Sequence, residues 1–446
     1  MTIGSDFKAH FEAVASSALA ELLPDEKAAI NYSSESSCFM RFTGAKVRQT
    51  GSVEQATFQM KLYRGPKSYT FSVGMAGELD MDKDRVAAAI GSARTVMGLL
   101  PDDPYQVLPE ARDTSDVSYD GRLLPEPEIP VRILEPAAGL DFTGIYSQGV
   151  ICRGAANTAG ARHWFATETF LLDYSAWLPN GKAVKSSYAG REWHDAEYVR
   201  RLAETRRSLD NLGAEARVLE PGKYRAFVTA DALNEVIPFF SWNGLGEKGI
   251  RQGESAFIAL KEGRESFSPL FGLSQDFSLG IQPAFNDEGE LAAERLRLVD
   301  KGKLANTLVS NRTAKQYGIP SNASPEEEYL RSASIDAGEL PEAKALEALG
   351  TGIYVSNFHY LNWSDPATAR VTGMTRFACL WVENGKIAGP IKDLRFDESL
   401  YNLLGAKLEA VTKERHLIVE SSTYEQRDVG GSLLPGLLVN GLTFTL

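Results

Sequence analysis

The 446-residue sequence is poor in the side chains that metal and thiol chemistry use. Its five histidines are His10, His163, His194, His359 and His416. No two of them form an HExxH pair, which excludes the standard helical zinc site. Glu192 and His194 fall on one side of an extended segment, but zinc takes roughly three or four protein ligands. The three cysteines, Cys38, Cys152 and Cys379, are odd in number, far apart and in no CxxC pair. That excludes a disulfide framework and a thiolate-built structural zinc, and implies a reducing compartment. No GxSxG elbow and no Walker loop is present. GLGEKG at 244–249 has glycines and a lysine without the Walker spacing, and reads as a flexible turn. Long apolar runs are missing too: none approaches the roughly 20 residues of a membrane helix. Residues 1–23 lack a basic n-region and a long apolar h-region; Phe7, Phe11, Val14, Ala18 and Leu22 fall instead on one helical face. A cytoplasmic protein without membrane attachment is expected. Positive charge is in deficit, with 47 Lys and Arg against 59 Asp and Glu and a net charge of -12. The basic residues are scattered, so nucleic acid is not an expected partner.

What is present is an ordinary globular composition, 43% apolar and 24% charged, in a chain long enough for two or three domains. Ala56, Phe58, Met60 and Leu62 alternate with polar residues. After the turn Arg64-Gly65-Pro66, Tyr69, Phe71 and Val73 alternate again, which predicts a hairpin with one buried face. Asp82 opens a helix with Val86, Ala89, Ile90, Ala93 and Met97 on one stripe. Residues 109–130 are acidic and proline-rich and read as a long loop. Strands follow at 163–177 and 183–189. A helix at 195–212 uses Val199, Leu202, Leu209 and Leu212, and its arginines at 200–207 read as a solvated face. Pro221-Gly222 marks a boundary between an N-terminal domain, 1–220, and a C-terminal domain, 221–446. Beyond it come a strand at 224–228, a helix at 230–240, many strand-like pieces with glycine turns, and one helix at 397–411. Asn384-Gly385 in VENGKI supplies the positive φ pair of a type I′ hairpin. Asp287-Glu288-Gly289 reads as a turn. The fold class is α+β: a mixed α/β N-terminal domain and a largely antiparallel, β-rich C-terminal domain.

Two stretches carry candidate chemistry. VIPFFSWNGLGEKGIRQGESAF, 236–257, starts as an apolar helix and breaks into Ser241, Asn243, Glu247, Lys248 and Arg251. SNFHYLNWSDPATARVTG, 356–373, carries His359, Tyr360, Asn362, Trp363, Asp365, Arg370 and Thr372 in what reads as a loop after a strand. A histidine, an aspartate and aromatics can bind peptide or transfer protons; the same aromatics can simply seal a domain edge. If the two stretches meet, Glu247, Arg251, His359, Asp365 and Arg370 would form a site.

Several phrases, in order, resemble the TldD/PmbA (TldE) family, described as modulators of DNA gyrase and as metallopeptidases. They are PGKYRAFVTADALNEVI from 221, AFNDEGELAAERLRLVDKGKLANTLVSNRTAKQYGIPSNA at 284–323, GIYVSN from 352, VTGMTRFACLWVENGKIAGPI from 371 and PGLLVNGLTF from 435. AKVRQTGSVEQATFQMKL and LLPDDPY extend the likeness more weakly towards the N-terminus. The resemblance implies a barrel-like C-terminal domain and dimers enclosing a proteolytic chamber. In the TldD branch an HExxxH helix and a late cysteine bind zinc. Counting back from RQGESAF, those helical positions are Pro238, Phe239 and Asn243, and 428–436 has no cysteine. The resemblance therefore points to the PmbA/TldE branch: no metal, no cofactor, and a homodimer or a heterodimer with a zinc-bearing TldD-like subunit. Peptide or unfolded polypeptide would be the ligand, with Asn243, Glu247, Arg251, His359, Asp365, Arg370 and Thr372 as candidate chamber residues. A homodimeric peptide binder without hydrolase activity, and a peptidase with a rebuilt site, are the alternatives. Thr372-Gly373-Met374 departs from the family's T-G-D.

Overall fold

A computed structural model describes residues 3–445. The first half forms α1 (Ser5–Ala20), β1 (Glu26–Thr43), β2 (Lys46–Arg64), β3 (Lys67–Gly74), α2 (Leu79–Met97), β4 (Thr114–Tyr119), α3 (Ile129–Leu134), β5 (Asp141–Asn157), β6 (Arg162–Trp177), β7 (Ala183–Gly190) and α4 (Asp195–Leu212). Its seven strands order β3-β2-β1-β5-β6-β4, with β7 also on β6. The expected hairpin is β2–β3, and Phe58, Met60 and Leu62 are fully buried on its inner face. They pack with Phe11, Val14 and Ala18 of α1 and with Val86, Ile90, Ala93 and Met97 of α2. Each of the larger of these side chains contributes about 1.5–3 kcal/mol by leaving water. An aromatic cluster, Tyr146, Phe170, Tyr188, Trp193 and Tyr198, joins β5, β6 and β7 to α4.

The second half forms β8 (Gly222–Val228), α5 (Ala230–Asn234), α6 (Glu247–Gln252), β9 (Leu273–Asp276), β10 (Arg295–Asp300), β11 (Lys303–Leu304), β12 (Ala333–Ile335), β13 (Gly352–Val355), β14 (Asn357–Asp365), β15 (Arg370–Arg376), β16 (Leu380–Glu383), β17 (Lys386–Pro390), β18 (Arg395–Ser399), β19 (Leu408–Val419) and β20 (Gly431–Phe444), besides shorter helical turns. These thirteen strands form one largely antiparallel sheet that branches at β20, which pairs with β8, β12, β18 and β19. The α+β class holds, but the sheet is not closed, so the barrel expectation is corrected: one strand serving several neighbours splits the sheet instead of curling it. Asn384 and Gly385 take φ values of 51° and 74° at the β16–β17 turn, as the type I′ hairpin requires.

Several local expectations change. The stretch 109–130 is not all loop, since β4 pairs in parallel with β6. Its side chains face largely outward, so an edge strand held by backbone bonds left no apolar alternation to read. In α4 the buried stripe is Tyr198, Leu202, Thr205, Leu209 and Leu212, while Val199 is exposed. The helix at 230–240 breaks after α5 into a 3-10 turn, Ile237–Phe240, because Pro238 has no N–H to donate and its ring crowds the preceding turn. No helix spans 397–411; β18, a π-turn at Asn402–Ala406 and β19 occupy it. Gly405 leaves helical geometry there, and the backbone of β20 captures Leu408–Val411. The stretch 356–373 is the β14–β15 hairpin, not a loop. No helix among the described residues is long and apolar enough to cross a membrane.

The two halves interlock through polar contacts. The turn Asn286–Gly289 offers its carbonyls to the first sheet. Asn31 Nδ2 donates to Asp287 O, Asn157 Nδ2 to Glu288 O, and His163 Nε2 meets Gly289 O, each at 3.0 Å.

Candidate functional site

A cleft of about 990 Å³ runs between the two sheets. From the first half, Arg153 of β5, Asp173 of β6 and Lys185 of β7 line it. From the second come Asp231, Glu235 and Pro238, then Glu327, Tyr329 and Arg331, and finally Glu420 and Asp428 flanking the link from β19 to β20. Local sequence explains the first of these groups. Thr229 caps α5, its hydroxyl accepting from Ala232 N at 3.2 Å and donating to Ser356 O at 2.8 Å. Asp231 and Glu235, four residues apart, then share one helical face.

Burial is the main force on these groups. It pushes the Asp231 carboxyl above the usual carboxylate range, against the opposing pull of Arg201, His416 and Lys185. Glu235 is exposed at the cleft wall, and partial desolvation there raises its carboxyl, against Lys185 and with help from Glu420 and Asp231. These carboxylates, with Asp173, make one region of the cleft strongly acidic. The region of Arg153, Tyr329 and Arg331 differs. Burial pulls both guanidinium groups below their ordinary range. Arg331 is 4% exposed and donates only to carbonyls, those of Phe285 at 2.8 Å, Ala323 at 3.2 Å and Pro283 at 3.3 Å, while it lies over the Phe277 ring.

Beside the cleft, a pocket of about 110 Å³ holds Glu288 with Lys61, Asp103, Arg312 and Glu326. Burial, helped by the Asp287, Glu326 and Glu290 carboxylates and opposed by Lys61, pushes Glu288 up to about 7. The folded protein then keeps this proton longer than the unfolded chain, whose value is 4.5. Stability therefore falls as pH rises from about 4.5 to about 7 and levels off above. Glu288→Gln is expected to flatten that slope and to add about 1–3 kcal/mol above neutral pH, read by urea unfolding across the range. Parallel pH profiles for the two proteins would disprove it.

The expected site residues lie elsewhere, and none of the seven lines the cleft. Glu247 is buried and accepts from Thr307 Oγ1 at 2.7 Å, Arg251 Nε at 2.8 Å and Lys261 Nζ at 3.3 Å. Asn243 sits at a left-handed turn, φ 51°, with its carbonyl accepting from Ala256 N. Asp365 caps the hairpin turn through Ala367 N and Thr368 Oγ1. Arg370 binds Asp397 across β15 and β18, and Thr372 donates to Phe396 O. His359 stands beside Tyr360 on β14. The two stretches do meet, through Trp363: its Nε1 donates to Trp242 O at 3.1 Å and its ring packs edge-on against Phe239. The contact is aromatic and brings none of the polar candidates together. Of the cleft residues, Asp231 and Glu235 had a sequence signal in their helical spacing; Arg153, on β5, and Arg331, in the loop before β12, had none, because neither local pattern marks which distant segment the residue will face.

The residues at the positions that the family resemblance assigns to metal ligands do not suit zinc. Pro238 lines the cleft wall, Phe239 is buried against Trp242 and Trp363, and Asn243 is exposed at a left-handed turn. The late-cysteine stretch also reaches the cleft, but with Asp428, Val429, Gly430, Gly431 and Ser432. Among the described residues no group of three or more His, Cys, Asp or Glu is arranged to hold a metal ion. His163 is held by Ser115 and Gly289, His194 lies on the surface beside Glu192, and Cys379 is buried among backbone carbonyls; they form no common site.

Residues 221–446 match the family described as PmbA/TldA metallopeptidase C-terminal domain. The chain belongs to that family. Solved structures extend the likeness over nearly the whole chain at the level of fold. TldE from Thermococcus kodakarensis is 13% identical with a TM-score of 0.75, covering 98% of this chain and 100% of that one. A candidate DNA gyrase modulator from Bacteroides thetaiotaomicron VPI-5482 is 16% identical with a TM-score of 0.77, covering 98% of both chains. Another from Thermotoga maritima MSB8 is 16% identical with a TM-score of 0.74, covering 98% and 100%. None of the curated proteins matches the sequence. For a PmbA/TldD-family chain, the position of Pro238 and of 428–432 on one cleft is the informative feature.

Proposed function

We propose that this chain is a zinc-independent, peptide-binding member of the PmbA/TldD family that serves as the non-catalytic partner of a zinc-bearing subunit. The carrying observation is that both stretches assigned to the family's metal ligands line the same cleft, without an imidazole or thiolate in either. A catalytic zinc needs about three protein ligands and an open position to lower the pKa of its water. A wide polar cleft walled by two sheets remains suited to an extended peptide, whose backbone can add to exposed strand edges. On this reading the family's hydrolytic chemistry belongs to the partner, and the protein works in the cytoplasm on peptides or unfolded polypeptide.

The test is elemental mass spectrometry on untagged protein purified without added metal, paired with co-purification against a homologue that carries HExxxH. Near-zero zinc per chain and a stable complex are expected. One zinc per chain would overturn the ligand argument. A homodimer indifferent to the homologue would overturn the partnership.

A further inference from the structure

Two groups of charged residues in the cleft differ in how they are paired. Asp173, Asp231, Glu235 and Glu420 surround Lys185 in one region. Arg153 and Arg331 lie in another, near Tyr329, with Asp428 acting on Arg153 and Asp287 on Arg331 from beyond ion-pair distance. The two arginines are unusual in what they lack. No carboxylate of the described residues comes within the 4.0 Å of an ion pair with either guanidinium. Arg153 makes one hydrogen bond, Nη1 to Cys152 O at 2.8 Å. Arg331 is almost wholly buried, its Nε has no partner, and all its hydrogen bonds go to carbonyls. Buried charges are ordinarily paired, because carbonyl dipoles recover only part of the lost hydration. A guanidinium fork also matches a carboxylate better than any other common anion in a peptide.

We propose that Arg153 and Arg331 receive a carboxylate of the bound peptide and so fix its direction in the cleft; this rests on the reading of the cleft as a peptide site. A free small anion is a poor candidate. Asp287, Glu327 and Asp428 also line the cleft, and with the acidic region they give it a negative field. A peptide brings its carboxylate together with an ammonium group, which the region of Asp231 and Glu235 attracts. The unpaired guanidinium groups at one place and the Asp231 and Glu235 carboxylates at the other then select one orientation of an extended chain and oppose the reverse.

The probe is a short Ala/Val/Ser peptide with a free amino terminus, compared as free acid, as C-terminal amide, and as an amide carrying an internal Glu. Binding is read by calorimetry to the full chain. The free acid is expected to bind at least about tenfold more tightly than the plain amide, and Arg153→Gln is expected to erase the difference. Arg153 is only partly buried, so this variant should fold, with an unchanged melting temperature as the check. Arg331→Lys, which keeps the charge but loses the fork, should reduce the ratio as well. If the Glu-bearing amide binds like the free acid, the pair accepts a side-chain carboxylate; if it binds like the plain amide, it selects the chain terminus. Equal affinity of acid and plain amide for the unmodified protein would overturn the carboxylate assignment while leaving the peptide site standing. No binding of any of the three would overturn the peptide site itself.

Discussion

Phe240→Ala is expected to cost about 3–5 kcal/mol of stability, the largest effect of any single substitution in the stretch 236–257. Phe240 is fully buried and stacks on Phe257 and Phe271, with Phe267 edge-on. Phe257 and Phe267 in turn pack against Tyr401. Truncation would open a cavity walled by rings too large to collapse into it, so the cavity adds to the lost transfer free energy. The consequence reaches the cleft. Phe240 anchors the 3-10 turn that follows α5, and Pro238 in that turn forms part of the cleft wall. Urea unfolding should show a lower midpoint with an unchanged slope, and Phe240→Leu should recover more than half of the loss. A cost below about 1 kcal/mol would mean that this aromatic cluster is not the core of the second half.

Arg427→Met should have the second largest effect, and a local one. Arg427 is 4% exposed and lies on the segment between β19 and β20. Its Nη1 donates to Ser37 Oγ at 3.2 Å and Gly149 O at 3.3 Å; its Nη2 donates to Thr169 Oγ1 at 2.7 Å and Thr169 O at 3.1 Å. Its backbone N donates to Glu35. One side chain thus ties the segment that carries Glu420 and Asp428, and with it one cleft wall, to the first sheet. Methionine keeps the apolar stem but strips four hydrogen bonds from buried acceptors. Relief of the buried charge offsets part of this, so a net cost of about 2–4 kcal/mol is expected. Hydrogen exchange in peptides covering 420–430 should accelerate by on the order of thirtyfold or more, while β1 and β5 keep their protection. Unchanged exchange there would show that the segment is held by other contacts.

Local pattern was enough for most of the scaffold. Alternation at 56–62 and 69–73, helical spacing at 195–212 and the Asn384-Gly385 pair each describe a few neighbouring residues, and each appears in the structure. The family could be recognised for the same reason, since ordered short phrases survive in sequence. The failures are equally local in cause. A single proline split the helix at 230–240. At 397–411 the backbone of β20 outbid a helical pattern. Glu247, Asp365 and Arg370, candidate chamber residues by their chemistry, each bond to neighbours within the fold.

The sequence by itself determined many of the elements and the family. The cleft was decided only by tertiary structure. Asp173, Asp231 and Glu420, or Arg153 and Arg331, share a space because two sheets face each other across the turn at Asn286–Gly289 and the tether at Arg427. Periodicity fixes which side of a strand or helix a residue such as Arg153 or Asp231 takes, and in the loops that carry Arg331 and Glu420 there is no period to read. Which surface that side confronts is set by packing between segments far apart in the chain, and for these residues no local pattern recorded it.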